Sequence, residues 1–307
     1  MLVYLPIAEM AIPAEAVLLL GAVAGFLSGV FGVGGGFLAT PLLMFLGVPP
    51  AIAVGTQANQ LVSTSLSGVL SQFRHGHVDV KLAAVLLVGS MVGTVFGSLL
   101  FKMLLYVGQI NLVIPLLYVV LLAAVGLMML IEAIRALLHK GSTSEKILAP
   151  WHNRTFFKSL PYKVHFPRSQ LHISIVLPIG IGILGGLMIS IMGIGGGFLM
   201  VPLMIYVLGM PTILVAGTSL LQILLTTAVT TLIHATANHS VDLVLAVLMI
   251  VGGIAGVEVG IRVGRHLNGI YARLALALLL LVVSVQIGSG LLVEPPDLYE
   301  IAMREGS

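Results

Sequence analysis

One glycine-rich motif occurs twice in this chain, each time inside an otherwise apolar segment. The copies read Gly-Val-Gly-Gly-Gly-Phe-Leu-Ala-Thr-Pro at 32–41 and Gly-Ile-Gly-Gly-Gly-Phe-Leu-Met-Val-Pro at 193–202. Glycine and proline interrupt helices. A paired interruption at corresponding places in two halves is the sequence pattern that points to a transporter's binding site. The motif therefore favours a duplicated fold with one broken helix in each half.

The composition places this fold in a membrane. Hydrophobic residues make up 59% of the chain and charged residues 8%, and the mean hydropathy is +1.16. Several apolar stretches reach the roughly 20 residues that a membrane helix needs, which predicts an all-α integral membrane protein. The net charge of +3 does not indicate nucleic-acid binding, because the basic residues lie at helix ends and in one loop. The chain has no cysteine, which excludes disulfides and thiolate chemistry.

The two halves align from about Gly21 onward, at offsets of 161 to 163 residues. The motif glycines match one another, as do several later positions. Matched pairs are Pro41 and Pro202, Pro49 and Pro211, Gly55 and Gly217, Thr56 and Thr218, Gln60 and Gln222, Asp79 and Asp242, and the Gly-x-x-x-Gly series at 89, 93 and 97 and at 252, 256 and 260. So many matches in order indicate duplication of one unit.

Turn signals divide each half into five apolar segments. They cover 14–31, 35–46, 50–73, 80–104 and 110–138, then 171–192, 196–208, 211–235, 241–263 and 270–292. The segments after the glycines are too short to cross about 30 Å of hydrocarbon at about 1.5 Å per residue, so we expect half-helices or re-entrant pieces. An odd number of elements per half, about five plus five, predicts an inverted structural repeat.

The basic residues favour this count. With the central loop cytoplasmic, five plus five elements place 12 of the 14 lysines and arginines inside, whereas four plus four place 10 inside. The sequence therefore predicts a first membrane repeat at 1–138, a cytoplasmic basic linker at 139–170, a second repeat at 171–293 and an acidic periplasmic tail at 294–307. Both termini are then periplasmic, in a multi-pass protein of the bacterial inner membrane.

The glycine breaks predict an anion site. Amides at a helix start lack intrahelical partners and carry partial positive charge, and glycine lets a ligand approach the backbone. In an inverted repeat the two half-helices would start close together near the membrane centre. The alternative is that these glycines serve only close helix packing. Nucleotide binding is excluded, because no Lys-Ser or Lys-Thr follows the glycines and no strand precedes them.

A polar stripe follows each short segment and faces either a pathway or neighbouring helices. The candidate substrate-binding residues come from the breaks and these stripes. They are Gly34, Gly35, Gly36, Thr56, Gln57, Gln60, Gly195, Gly196, Gly197, Thr218, Ser219 and Gln222.

Other conspicuous residues have simpler explanations. The Gly-x-x-x-Gly series predicts close helix packing, and Asp79 and Asp242 are expected to cap helix starts. Glu258, one turn from Arg262, predicts a structural ion pair, with proton coupling as the alternative. Arg74 and nearby histidines are candidates for a vestibule mouth, so the coupling or gating candidates are Glu258, Arg262 and Arg74. No cofactor or metal is predicted, because no cluster of histidines and carboxylates supplies enough ligands.

These residues together carry a family resemblance. The doubled Gly-x-Gly-Gly-Gly-Phe-Leu-x-x-Pro motif, the Leu-Gly-Val-Pro and Leu-Gly-Met-Pro turns ending at Pro49 and Pro211, and the Tyr-Lys-Val-His-Phe-Pro linker at 162–167 resemble the TauE/SafE family of membrane transporters. The resemblance covers about Gly21 to Leu292. It implies a carrier, often an exporter, of sulfite, sulfoacetate or another organosulfonate.

The sequence thus predicts a secondary transporter, not an enzyme, that exports a small sulfur-containing anion such as sulfite, thiosulfate or an organosulfonate by alternating access. Its partners would be that anion and the lipid bilayer, with protons as the candidate coupling ion. One alternative is a carrier or channel for another small anion or a neutral solute. A more remote alternative is an intramembrane hydrolase, for which no nucleophile and base are placed at membrane depth.

Overall fold

The computed structural model describes residues 2–31, 36–138, 162–195, 197–238, 240–264 and 269–292. Within these ranges, a β-hairpin followed by five helices occurs twice in the same order. The first set is β1 (Leu2–Leu5), β2 (Met10–Pro13), α1 (Ala14–Phe31), α2 (Gly36–Phe45), α3 (Pro50–Arg74), α4 (Val80–Val107) and α5 (Ile110–Leu138). The second set is β3 (Lys163–Phe166), β4 (Leu171–Ser174), α6 (Val176–Met192), α7 (Gly197–Tyr206), α8 (Thr212–Thr236), α9 (Leu243–Gly264) and α10 (Gly269–Leu292).

The predicted fold class, an all-α integral membrane protein, is confirmed. Five of the described helices are long and apolar enough to cross a membrane, namely α4, α5, α8, α9 and α10. The helices α2 and α7 have 10 residues each, hence a length of about 15 Å, half of the hydrocarbon thickness. They are short helices that follow the glycine breaks, as the sequence predicted.

The two hairpins were not predicted, and one corrects a predicted boundary. Residues 171–174 do not begin a helix but form β4, which pairs antiparallel with β3. The hairpin of β1 and β2 has the equivalent register, and Glu9 and Gln170, 161 positions apart, both have φ of 52°. The duplication therefore extends back to Leu2, beyond the match that starts near Gly21. The linker residues 139–161 lie outside the described residues.

Both helix-start aspartates act as caps, as predicted. The Asp79 carboxylate accepts a hydrogen bond from the Leu82 amide, and the Asp242 carboxylate accepts from the amides of Val244 and Leu245. Each aspartate also binds the hairpin of the other half.

The hairpin contacts define the two ends of the molecule. The Ile7 amide, in the turn of the first hairpin, donates to Asp242 Oδ2 at 3.0 Å. The Ser169 amide, in the turn of the second, donates to Asp79 Oδ2 at 3.2 Å. The β1–β2 end thus holds the starts of α1 and α9, and the β3–β4 end holds the starts of α6 and α4.

The polar-stripe helices α3 and α8 pack antiparallel. At the start of α3, a β-carbon on Gly55 would lie 2.5 Å from the carbonyl oxygen of Ser240, just beyond the end of α8. At the start of α8, a β-carbon on Gly217 would lie 2.3 Å from the carbonyl oxygen of His77, just beyond the end of α3. Two equivalent helices therefore run in opposite directions between the two ends.

The Gly-x-x-x-Gly series form close helix contacts, as predicted. Along α4 and α6, a β-carbon on Gly93 would lie 2.1 Å from the Ile183 carbonyl oxygen. Along α9 and α1, a β-carbon on Gly256 would lie 2.0 Å from the Ala22 carbonyl oxygen. A side chain at either glycine would overlap with backbone, so only glycine permits these contacts. Each contact joins a helix of one half to a helix of the other, so the halves interlock.

Candidate functional site

The two glycine breaks meet inside the protein. A β-carbon on Gly36, where α2 begins, would lie 3.1 Å from the amide nitrogen of Gly195 in the other break. The same β-carbon would lie 2.8 Å from the side chain of Leu61 on α3. The structure therefore brings together Gly36 and Gly195 from the predicted site, with Gly197 at the start of α7. Gly34, Gly35 and Gly196 lie outside the described residues.

Apolar side chains surround the breaks. One buried cluster includes Phe37 and Leu38 on α2 together with Met192 and Ile194 beside the second break. The hydroxyl of Tyr118 on α5 donates a hydrogen bond of 2.5 Å to the Met192 carbonyl. This bond satisfies one of the carbonyls that a helix leaves free at its C-terminus. The end of α6 is therefore fixed at the break by a neighbouring helix.

The predicted polar residues of α3 and α8 are all buried. The exposed fraction is 1% or less for each of Thr56, Gln57, Gln60, Thr218, Ser219 and Gln222. Because buried polar groups need hydrogen-bond partners, the partners of these side chains decide what they can do.

Thr56 and Thr218 hold the two halves together. The Thr56 hydroxyl accepts a hydrogen bond from the Asp242 amide at 3.1 Å, and the Thr218 hydroxyl accepts from the Asp79 amide at 3.0 Å. The Ser219 hydroxyl donates to the carbonyl of Ala216, one turn earlier on α8. These hydroxyls therefore have structural partners, which the spacing of the stripe did not reveal.

The two matched glutamines have amide groups whose orientation is determined by their partners. Gln60 Nε2 donates to the Met249 carbonyl at 3.2 Å, and a carbonyl can only accept. Gln222 Nε2 donates to Ser90 Oγ at 2.6 Å, because the Ser90 hydroxyl already donates to the Leu86 carbonyl. In both residues the nitrogen therefore faces a helix of the other half, and Oε1 faces elsewhere.

The glutamine side-chain oxygens are free acceptors. In the described part of the chain, Oε1 of Gln57, Gln60 and Gln222 is buried and has no hydrogen-bond partner. A buried acceptor without a partner costs roughly 1–3 kcal/mol. These oxygens are therefore suited to a water molecule or to a ligand that carries a hydrogen.

A cavity of about 350 Å³ leads from the β3–β4 end toward the glutamines. It lies between α1, α3, α8 and α9 and reaches Thr64, one turn beyond Gln60. Its lining is mostly neutral: Ser28, Gly29, Val30, Thr64, Gly68, Ser71, Gln72, His75, His77, Leu220, Val257, Ile261 and Gly264. The histidines were predicted for a vestibule, whereas Ser28, Ser71 and Gln72 were not, although Ser71 lies about three turns beyond Gln60 on the same face of α3.

The three coupling or gating candidates all lie at the surface. Glu258 and Arg262 form an ion pair of 2.7 Å, with side chains 68% and 72% exposed. They lie outside the cavity, which α9 lines with Val257 and Ile261 instead. Arg74 is exposed in the last turn of α3, next to the cavity residue His75. Among the residues that the structure describes, no group of three or more histidines and carboxylates could hold a metal.

Comparisons with known proteins identify relatives over most of the chain. The family model described as "Sulfite exporter TauE/SafE" matches residues 17–287. A "Probable membrane transporter protein" of Xylella fastidiosa (strain 9a5c) is 32% identical over 273 residues, which cover 86% of this chain and 92% of the relative. The "Probable membrane transporter protein YunE" of Bacillus subtilis (strain 168) is 27% identical over 280 residues, 87% of this chain and 94% of the relative. No solved structure matches the chain.

Proposed function

The chain belongs to the TauE/SafE family of membrane transporters, and we propose that it exports a small sulfur-containing anion, such as sulfite, thiosulfate or an organosulfonate. The proposal is carried by the meeting of the two glycine breaks inside the protein, where Gly36 packs against Gly195 and against Leu61, the residue after the buried Gln60. The family name supports sulfite and its relatives as the substrate class.

The proposed site binds the anion without a fixed positive charge. The starts of α2 and α7 supply the partial positive charge of helix N-termini. The unpartnered glutamine oxygens accept hydrogen bonds from water around the anion or from a protonated form of it. Such neutral groups hold an anion less tightly than a buried arginine would. We expect binding in about the micromolar to millimolar range, so that the anion is released in each cycle.

The proposed mechanism is alternating access between inverted halves. The antiparallel packing of α3 and α8 supports an inverted arrangement, because equivalent helices of a parallel repeat would run in the same direction. Inverted halves permit a second state in which they exchange conformations, so that a site between them faces the other end. The cavity at the β3–β4 end is then the open route in the described state.

We also propose that the β3–β4 end faces the cytoplasm of a bacterial cell. Arg74, Lys81 and Arg168 lie at this end, where Lys81 Nζ donates to the His165 carbonyl and Arg168 donates to the Val78 carbonyl. Basic residues are enriched on the cytoplasmic side of membrane proteins. The β1–β2 end then faces the periplasm, and the cavity is open to cytoplasmic anions.

Binding by purified protein tests the substrate class. We expect calorimetry to detect sulfite, thiosulfate or an alkanesulfonate, and expect Gln60→Leu or Gln222→Leu to weaken binding by about 5- to 150-fold, which corresponds to roughly 1–3 kcal/mol. Ser67→Ala, an exposed change on α3, is the matched control and should leave binding unchanged. Binding of cations or neutral amino acids, with none of the three anion types, would contradict the assignment.

A further inference from the structure

Toward one end of the molecule from the paired glutamines there is a cavity, and the equivalent place toward the other end is filled. On α3, the ridge of positions four residues apart contains Gln60, Thr64, Gly68 and Gln72, and the last three line the cavity. The equivalent positions on α8, at an offset of 162, are Gln222, Thr226, Thr230 and His234. These four side chains are fully buried. The α3 residues therefore line a cavity, whereas their equivalents on α8 are packed against neighbouring helices. We call this packed region of α8, at Gln222, Thr226, Thr230 and His234, the sealed seam.

The helices next to α3 and α8 also differ, with a small residue at the cavity and a large one at the sealed seam. Gly264 on α9 lines the cavity, and its equivalent on α4, at the offset of 163 that relates the glycine series, is Phe101. The Phe101 and His234 rings meet edge to face, with centroids 4.6 Å apart and an interplanar angle of 76°. The Phe101 and His234 rings thus fill the place that corresponds to Gly264 and Gln72 at the cavity.

Hydrogen bonds fix His234 between several elements. Its Nε2 lies 3.0 Å from the Ser190 carbonyl oxygen, which can only accept, so Nε2 carries the hydrogen. The other ring nitrogen, Nδ1, then accepts from Asn238 Nδ2 at 3.0 Å and lies 3.4 Å from Ser240 Oγ. The ring therefore joins the last turn of α6, next to the second glycine break, to the connection between α8 and α9.

Unpartnered polar atoms lie along the sealed seam. Within the described ranges, the hydroxyls of Thr94 on α4 and Ser190 on α6 are buried without a hydrogen-bond partner, as is Gln222 Oε1. Such groups are stabilised when water reaches them. Hydration of the seam would therefore offset part of the cost of separating the two rings.

We propose that Phe101 and His234 form the gate that closes the site toward the β1–β2 end. The gate opens when His234 releases the Ser190 carbonyl and the ring leaves Phe101, which exposes Thr230 and Gln222 to that side. This proposal rests on the alternating access proposed above, and it identifies the two residues that block access from the closed side.

The absence of cysteine from the chain allows a direct test by single-cysteine labelling. Thr230→Cys places a thiol one turn from His234 on the sealed side, and Ser71→Cys places one in the cavity. In proteoliposomes, a membrane-impermeant maleimide should label Ser71→Cys rapidly from one side and Thr230→Cys slowly from either side. The side that labels Ser71→Cys also identifies the side that the β3–β4 end faces.

Opening the gate should expose the sealed thiol. Combining Thr230→Cys with Phe101→Gly and His234→Gln, the residue types of the other half, should raise its labelling from the β1–β2 side by about tenfold or more. Gly180→Ala, at a position with nothing within 4 Å of an added β-carbon, is the matched control and should not raise it. Unchanged labelling in the folded triple variant would overturn the proposal.

A second measurement needs no gate substitution. In Thr230→Cys alone, a saturating transported anion should change the labelling rate, because turnover populates the state open at the β1–β2 end. An unchanged rate in a protein that transports would also overturn the gate. Labelling of the triple variant needs no substrate. If its labelling rises but none of the proposed anions is transported, the substrate assignment is wrong and the gate proposal is supported.

Discussion

At the residue scale, several buried polar side chains, such as Asp79 and Asp242, have hydrogen-bond partners in the other half of the chain. The sequence predicted Asp79 and Asp242 as helix caps, because each precedes an apolar helix. It did not predict that Ser169 and Ile7 bind the same carboxylates, since those bonds join residues 90 and 235 positions apart. Likewise, the sequence shows that Thr56 and Thr218 carry hydroxyls, but it does not show that each hydroxyl is hydrogen-bonded to an amide of the other half.

Removing a capping carboxylate should therefore destabilise the fold. Asp79→Ala or Asp242→Ala leaves several buried amides without an acceptor, so we expect a loss of roughly 1–3 kcal/mol in stability. Glu258→Ala, which removes an exposed ion pair, should cost about 0.5 kcal/mol or less. Thermal unfolding in detergent measures both. Equal losses for the aspartate variants and the glutamate variant would contradict this role of the carboxylates.

At the element scale, most helix bounds were predictable because apolar length and turn residues determine them. The short helices α2 and α7 followed from the glycine breaks, and α3 and α8 from the prolines before them. The two hairpins were not predictable in the same way. Their four-residue strands are too short for a periodic signal, and they are held by cross-half contacts such as the bond from Ser169 to Asp79. This is why the helix predicted from 171 begins at Val176 instead.

Because the two glycine breaks are in contact, adding a single methyl group at Gly36 should disturb them. Gly36→Ala would place a β-carbon 3.1 Å from the Gly195 amide nitrogen and 2.8 Å from the Leu61 side chain. We expect this change to reduce transport in proteoliposomes by about tenfold or more, because the added methyl group separates the two helix starts that we propose as the anion site. Insertion of the variant into the membrane should remain largely intact.

Gly180→Ala on α6 is the control for this change, since nothing lies within 4 Å of its added β-carbon. It should transport like the parent protein. If Gly36→Ala reaches the membrane and transports at the parent rate, the breaks are not the binding site. The glycines would then serve helix packing alone, the alternative that the sequence left open.

At the scale of the whole molecule, the two halves have the same order of helices and strands but differ in some side chains at equivalent positions. The hairpins and equivalent helix pairs repeat, and the breaks meet between them. The differences are concentrated on one seam, where Gln72 and Gly264 correspond to His234 and Phe101. We propose that the two halves exchange conformations during transport and that these differing residues determine which end is closed in the described state. The proposed function is therefore that of a carrier with one open and one closed side.

Counterflow in proteoliposomes tests this account most directly. Vesicles containing the protein are preloaded with unlabelled sulfite, thiosulfate or an alkanesulfonate, and uptake of the same labelled anion is then followed at trace concentration. We predict saturable uptake in which the labelled anion inside the vesicles transiently exceeds its equilibrium level, and this uptake should require preloading. The reason is that the binding site of a carrier returns across the membrane faster when an anion occupies it. Uptake that is equally fast with and without preloading would indicate a channel, and no uptake of any of the three anions would contradict the proposed function.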